Sequence, residues 1–233
     1  LIVTPPSVEF KIVRNNDTEI IIRNPSEIEK YTDIKHLMEK YCEVNLLFPK
    51  EYLGSIMQLL SEKRGTQEDL NYLSTSMVKV RYKLPLLELV SGFYDTLKSI
   101  SQGFASLDYE ILDFEKGNLV KLDILVNGQI IDSFSSILAK ENAEFVGRNR
   151  VKKLSELIPR QQFDIPIQAA VGSRIIARET IKALRKDVTA KLYGGDVTRK
   201  RKLLEKQKEG KKKMRQIGKV NVPKEAFRDF LKQ

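Results

Sequence analysis

Through the middle of the chain, runs with apolar residues at every second position are interleaved with runs at helical spacing. Val44, Leu46 and Phe48 alternate with polar neighbours and Pro49 closes the run, which predicts a half-buried strand. Leu53, Ile56, Met57 and Leu60 then recur three and four apart, which predicts a helix stopped by Gly65. A weak strand around residues 71–73 precedes a strong one, where Val78, Val80, Tyr82 and Leu84 alternate with Lys79, Arg81 and Lys83. A second helical stripe carries Leu86, Leu89, Val90, Phe93, Leu97 and Ile100 and ends near Gly103. Leu107, Tyr109 and Ile111 form the last strand. The order β-α-β-β-α-β over 41–115 predicts two helices on one face of a four-stranded antiparallel sheet, the ferredoxin-like arrangement.

The flanking segments differ from this core. Over 1–40, Val8, Phe10 and Ile12 alternate, Asn15-Asn16-Asp17 reads as a turn and Ile20 to Ile22 as the returning strand. With no helix of its own, this segment is expected to close a preceding domain. Over 116–233, Leu122, Ile124 and Val126 lead into Asn127-Gly128 and then Ile130 and Ile131, a hairpin signal. A helix over about 142–158 carries Val151, Leu154, Leu157 and Ile158 and stops at Pro159. Two short strands are predicted around Gly172, with a short helical piece from Thr180 to Leu184. Asp196 is a good N-cap for a helix over 197–209, with Gly210 past its end. Only Leu203 and Leu204 are strongly apolar there, so this helix is expected to order on a partner. Pro223 starts a last amphipathic helix bearing Ala226, Phe227, Phe230 and Leu231. The fold class read from these patterns is α+β. A ferredoxin-like domain is followed by a second α+β domain over 116–233 that ends in a basic helical tail, 185–233.

Length and composition narrow the function. A chain of 233 residues suggests one or two domains and a sizeable core. It is 41% apolar and 31% charged, and nowhere holds the roughly 18 uncharged apolar residues of a membrane span. LIVTPPSVEF has no basic region followed by an apolar one, so no secretion signal is read, and the missing initiator Met is consistent with a portion of a longer protein. Cys42 and His36 are the sole residues of their types, which leaves no Cys/His zinc set and no disulfide within the chain, and fits a reducing compartment. A nucleophile–histidine pair would have to use His36, which lies in a mixed-charge stretch with no nucleophile turn nearby.

Nothing matches G-x-x-x-x-G-K followed by Ser or Thr, and Gly194-Gly195 before Asp196 reads as a plain turn. Asp108, Glu110, Asp113 and Glu115 read as one solvated strand face. No catalytic site, cofactor site or metal site is expected in this chain.

Charge is more informative. Residues 1–115 hold 13 Lys and Arg against 18 Asp and Glu, a balance of −5; residues 116–233 hold 28 against 13, a balance of +15. Within 185–219 there are 14 basic and 4 acidic residues. This asymmetry points to a polyanion held by the second half. No RNP-type aromatic pattern sits on a strand, so backbone and shape contacts to structured RNA are favoured over base stacking. An anionic membrane surface, generic RNA binding and an RNA-processing enzyme remain as alternatives.

Several stretches carry a family resemblance. FPKEYLGSIMQLLSEKRG and YKLPLLELVSGFYDTLKSISQGFASLDYE resemble the domain of elongation factor G that follows its tRNA-mimicking insertion, with the same P-x-E-Y-L-G, R-G and S-x-x-x-G pattern. IPRQQFDIPIQAAVGSRIIAR, LRKDVTAKLYGGDVTRKRKLLEKQKEGKKKMRQIGKV and NVPKEAFRDFL resemble the C-terminal domain of the elongation factor 4, or LepA, family. The resemblance covers essentially the whole chain. It implies a ribosome-dependent GTPase whose G domain, with its GTP and magnesium, and β-barrel precede residue 1. Residues 1–40 would then close the third domain. Residues 41–115 would lie near the ribosomal stalk base, against large-subunit rRNA and stalk-base proteins, and 116–233 would reach the A-site tRNA acceptor arm. The family is described as promoting back-translocation and fidelity under stress. It is expected to be a cytoplasmic monomer, in part peripheral on the inner face of the membrane. On this reading the candidate phosphate contacts are Arg160, Arg174, Arg178, Lys191, Arg199, Lys200, Lys202, Lys208, Lys211, Lys212 and Lys213; Tyr193 is a candidate to stack near a terminal base, with a packing tyrosine as the favoured reading.

Overall fold

A computed structural model describes residues 8–28, 33–185, 188–189, 197–217, 220 and 222–231. The chain divides into two compact units, Pro5–Leu119 and Val120–Gln233. Both are antiparallel α+β structures.

The first unit is built on β3 (Ile34–Pro49), a strand of 16 residues. Cys42, Val44, Leu46 and Phe48 are fully buried along it, as their alternation predicts. After β3 come α1 (Leu53–Glu62), β4 (Thr66–Tyr72), β5 (Met77–Pro85), α2 (Leu86–Glu88), α3 (Tyr94–Ile100) and β6 (Ser106–Gly117). The spatial order β6-β3-β5-β4 is that of a ferredoxin-like sheet. The second helical stripe is not continuous. Between α2 and α3 the backbone leaves helical geometry at Ser91 (ψ 56°) and Gly92 (φ +75°), where the chain forms a wide π turn. Phe93 and Leu97 still reach the core, packed with Ile56, Leu60, Val80 and Leu84.

The hairpin of β1 (Phe10–Arg14) and β2 (Glu19–Ile22) extends this same sheet. β6 runs along one edge of β3, so β1 and β5 share the other: β1 pairs with Ile34–Glu39 and β5 with Tyr41–Pro49.

The second unit is a five-stranded sheet under one long helix. β7 (Leu119–Val126) turns into β8 (Gln129–Ile130) through Asn127 and Gly128, both at positive φ (52° and 82°), the hairpin geometry that Asn-Gly encodes. A short strand that the sequence pattern does not reveal, β9 (Ser136–Ala139), also pairs with β7. Then come α4 (Ala143–Leu157), β10 (Ile165–Val171) and β11 (Arg174–Ile181). Gly147 lets α4 sit close to the sheet: a Cβ there would lie 3.1 Å from Ala169 Cβ and 3.2 Å from Ile176 Cδ1. Thr180 and Ile181 belong to β11, paired with Pro166 and Ile165, where the sequence suggests a helical piece. Their β-branched side chains favour the ladder.

The last two helices are α5 (Val197–Ile217) and α6 (Lys224–Leu231). Gly210 lies inside α5 rather than past its end. A glycine inside a helix costs only about 1 kcal/mol, and Lys, Glu and Gln around it are strong helix formers. α6 closes the core: the Phe134 ring centroid lies 4.3 Å from that of Phe230 and 4.7 Å from that of Phe227.

Candidate nucleic-acid interface

The basic residues singled out by sequence fall into three places within the second unit. Arg160 is exposed just after α4. Arg174 and Arg178 are exposed on β11, an outermost strand of its sheet. Arg199, Lys200, Lys202, Lys208, Lys211, Lys212 and Lys213 lie along α5. Lys191 and Tyr193 lie outside the described residues.

Spacing four apart along a strand would put Arg174 and Arg178 on one face. A bulge intervenes: Ala177 pairs with Ala169 and Ile175 with Ala170, so Ile176 is the extra residue. Ile176 and Ala177 both pack on the core side, while Ile175 is 51% exposed. The alternation therefore reverses once between the two arginines, and they do not share a face.

The α5 cations divide by helical geometry. At 3.6 residues per turn, Lys208, Lys211 and Lys212 cluster on one flank with Leu204, while Lys202, Lys206 and Lys213 lie about 120–160° around the axis from Lys208. The first group faces a groove of about 520 Å³ whose other wall comes from the body of the unit, with Asp164 and Arg185. Lys211 Nζ donates to the Leu184 carbonyl at 2.7 Å and so ties α5 to the segment after β11. That segment is itself fixed, because Leu184 N–H donates to the Gln161 carbonyl and Ala183 N–H to Asp164 Oδ1, each at 2.7 Å. Arg185 is the groove residue that sequence reading left off the candidates. Its position after a strand carries no local signal, because α5 meets it only through tertiary structure.

Chemically, the groove offers several flexible ammonium groups and one guanidinium fork around an apolar floor. Such a set suits phosphates, and its one carboxylate, Asp164, accepts the Ala183 N–H. Among the described residues, no group of three or more His, Cys, Asp or Glu is placed to hold a metal ion. No helix among them is long and apolar enough to cross a membrane. The residues present do not fit a GTP–magnesium site, since the sequence lacks the phosphate-binding loop such a site needs. His36 sits on β3 opposite Val13, and Cys42 is fully buried with its thiol pushed up to about 11 by burial.

Two family models match the chain. The one described as the elongation factor G C-terminus covers residues 36–125, and the one described as the GTP-binding protein LepA C-terminus covers 126–232. Proteins called elongation factor 4 from Acetivibrio thermocellus and Clostridium botulinum are each 51% identical over 232 residues, which is 100% of this chain and 38% of theirs. The chain thus spans 38% of the length of these curated relatives. The ferredoxin-like sheet falls in the first match, and the groove and basic helix fall in the second. The chain belongs to the elongation factor 4 (LepA) family and carries its C-terminal portion.

Proposed function

We propose that this chain is the ribosome- and tRNA-binding part of a translation factor, working in the cytoplasm as part of a GTPase whose nucleotide chemistry belongs to a separate G domain. The observation that carries the reading is the gathering of exposed cations on α5 and its groove, within the unit matched by the LepA model. The −5 half cannot hold RNA by net charge, so it serves as a positioning module that meets rRNA or protein through local patches, such as Lys79, Arg81 and Lys83 on β5, where Glu68 pairs with Arg81 and Glu115 with Lys83. Promotion of back-translocation, and with it fidelity under stress, follows if the second unit grips the tRNA acceptor arm.

The test is tRNA binding by the intact chain across a salt series. Alanine at Lys202, Lys208, Lys212 and Lys213 together should weaken binding and flatten the salt slope by about 0.7–0.9 for each phosphate no longer neutralised. Unchanged affinity and slope would overturn the reading. Binding to anionic vesicles with none to tRNA would move the basic tail to a membrane surface.

A further inference from the structure

The groove beside α5 differs from the rest of the basic surface. Its walls are joined by the Lys211–Leu184 hydrogen bond, and its lining is mixed: Leu204, 52% exposed, lies one helical turn before Lys208, with Lys211 and Lys212 about a turn further on and Arg185 on the other wall. Four cations face one carboxylate, Asp164, and Asp164 already accepts the Ala183 N–H. One exposed leucine is ordinary by itself; what matters is whether a ligand matches an apolar wall beside a row of cations. A nucleotide unit does: a ribose and base edge need an apolar wall, and the phosphates on either side need cations. The volume, about 520 Å³, lies within the range of small-molecule sites, roughly 300–1,000 Å³.

We propose that this groove seats one nucleotide of an RNA strand. Its two flanking phosphates lie against Arg185 on one wall and Lys208 and Lys212 on the other, and its sugar rests on Leu204. Lys211 holds the wall in place through the Leu184 carbonyl. The proposal rests on the RNA-binding reading above and adds to it a single preformed subsite, with the opposite flank of α5 contributing only diffuse attraction.

The experiment compares variants in the intact chain at about 150 mM salt, where diffuse attraction is screened. Arg185→Glu and Leu204→Glu alter the groove; Lys202→Glu and Lys213→Glu alter the other flank. All four positions are exposed, so folding is not at stake, and circular dichroism verifies it. Affinity for a short single-stranded RNA should fall about tenfold or more for each groove variant and no more than about threefold for each flank variant. Leu204→Glu is the sharper arm, because it changes the net charge by half as much as either flank substitution. RNA should also protect Lys208 and Lys212, but not Lys202, from amine acylation read by mass spectrometry.

Losses that follow charge alone at all four positions would overturn the subsite and leave the RNA reading standing. No RNA binding by the parent chain would remove both. If ATP binds with the groove variants' sensitivity and RNA does not, the occupant is a free nucleotide and the RNA assignment is wrong.

Discussion

Arg64 shows how a residue motif becomes structure. α1 ends at Glu62, and the left-handed position that follows is filled by Arg64 (φ +58°), not by the adjacent glycine. A non-glycine residue there costs on the order of 1–3 kcal/mol. Two carboxylates hold it: Glu39, 1% exposed, takes both guanidinium amino groups at 2.7 and 3.1 Å, and Glu88 takes Nε at 3.1 Å. Burial pulls the Arg64 pKa down, but the hydrogen-bonded Glu39 carboxylate and Glu88 more than offset this and leave it raised. Gly65 is required for a different reason, since a Cβ there would lie 2.7 Å from the Leu60 carbonyl oxygen. The R-G pair is thus a buried ionic clasp beside a close backbone approach. Arg64→Met should lower unfolding stability in urea by about 3–5 kcal/mol, because it strands the buried Glu39, and adding Glu39→Leu should restore much of the loss. A loss below about 1 kcal/mol would mean that Glu39 finds water or another partner.

Glu9 gives a pH prediction at the same scale. Hydrogen bonds from Lys40 at 2.8 Å and Arg23 at 2.7 Å hold its pKa down to about 2, against an ordinary 4.5. A depressed carboxylate contributes stability that is fully present above its unfolded value and is lost as pH falls through the folded one. Between pH 4.5 and 2 the parent chain should therefore lose more stability than Glu9→Gln does, as read by urea midpoints at the two pH values.

Among the elements, α6 makes a compact test of stability, because it places Ala226 and Phe230 in the second core. Phe230 packs on Phe134, and Lys153 Nζ donates to the Phe230 carbonyl at 3.3 Å, a cation at the negative end of the helix. Arg150 donates to Ser136 Oγ and lies over the Phe230 ring, 5.9 Å from its centroid, with its pKa lowered by burial. Phe230→Ala should cost about 3 kcal/mol or more and loosen α6 as a whole, which hydrogen exchange of its amides would register. A stability change within error would show α6 to be an appendage.

Strands and helices with strong alternation or stripes were legible in sequence, as β3, β5, α1 and α4 show. β9 was not, because its four residues are too few for a period. The broken second helix was not, because Ser91 and Gly92 interrupt the ladder without disturbing the apolar stripe. The bulge at Ile176 was not either, because an extra residue in a strand leaves no trace in composition.

At the scale of the whole molecule, the sequence announced where charge accumulates but not which cations work together. The −5 and +15 halves were plain from counting. That Lys208 and Lys212 face Arg185 across one groove, while Lys202 and Lys213 turn away, depends on the docking of α5 through Lys211, a tertiary event. Net charge thus places the basic residues to within a domain, and only packing divides those that line the groove from those that do not.

The contact between Phe134 and Phe230 also sets an order of events during synthesis. The ring that closes the second core emerges among the last residues of this chain, long after the strands it covers. The ferredoxin-like unit can complete its sheet once β6 has left the ribosome, while the following unit waits with Phe134 uncovered. Basic α5 precedes α6 in the chain, so the basic helix is made before the residues that close the second core.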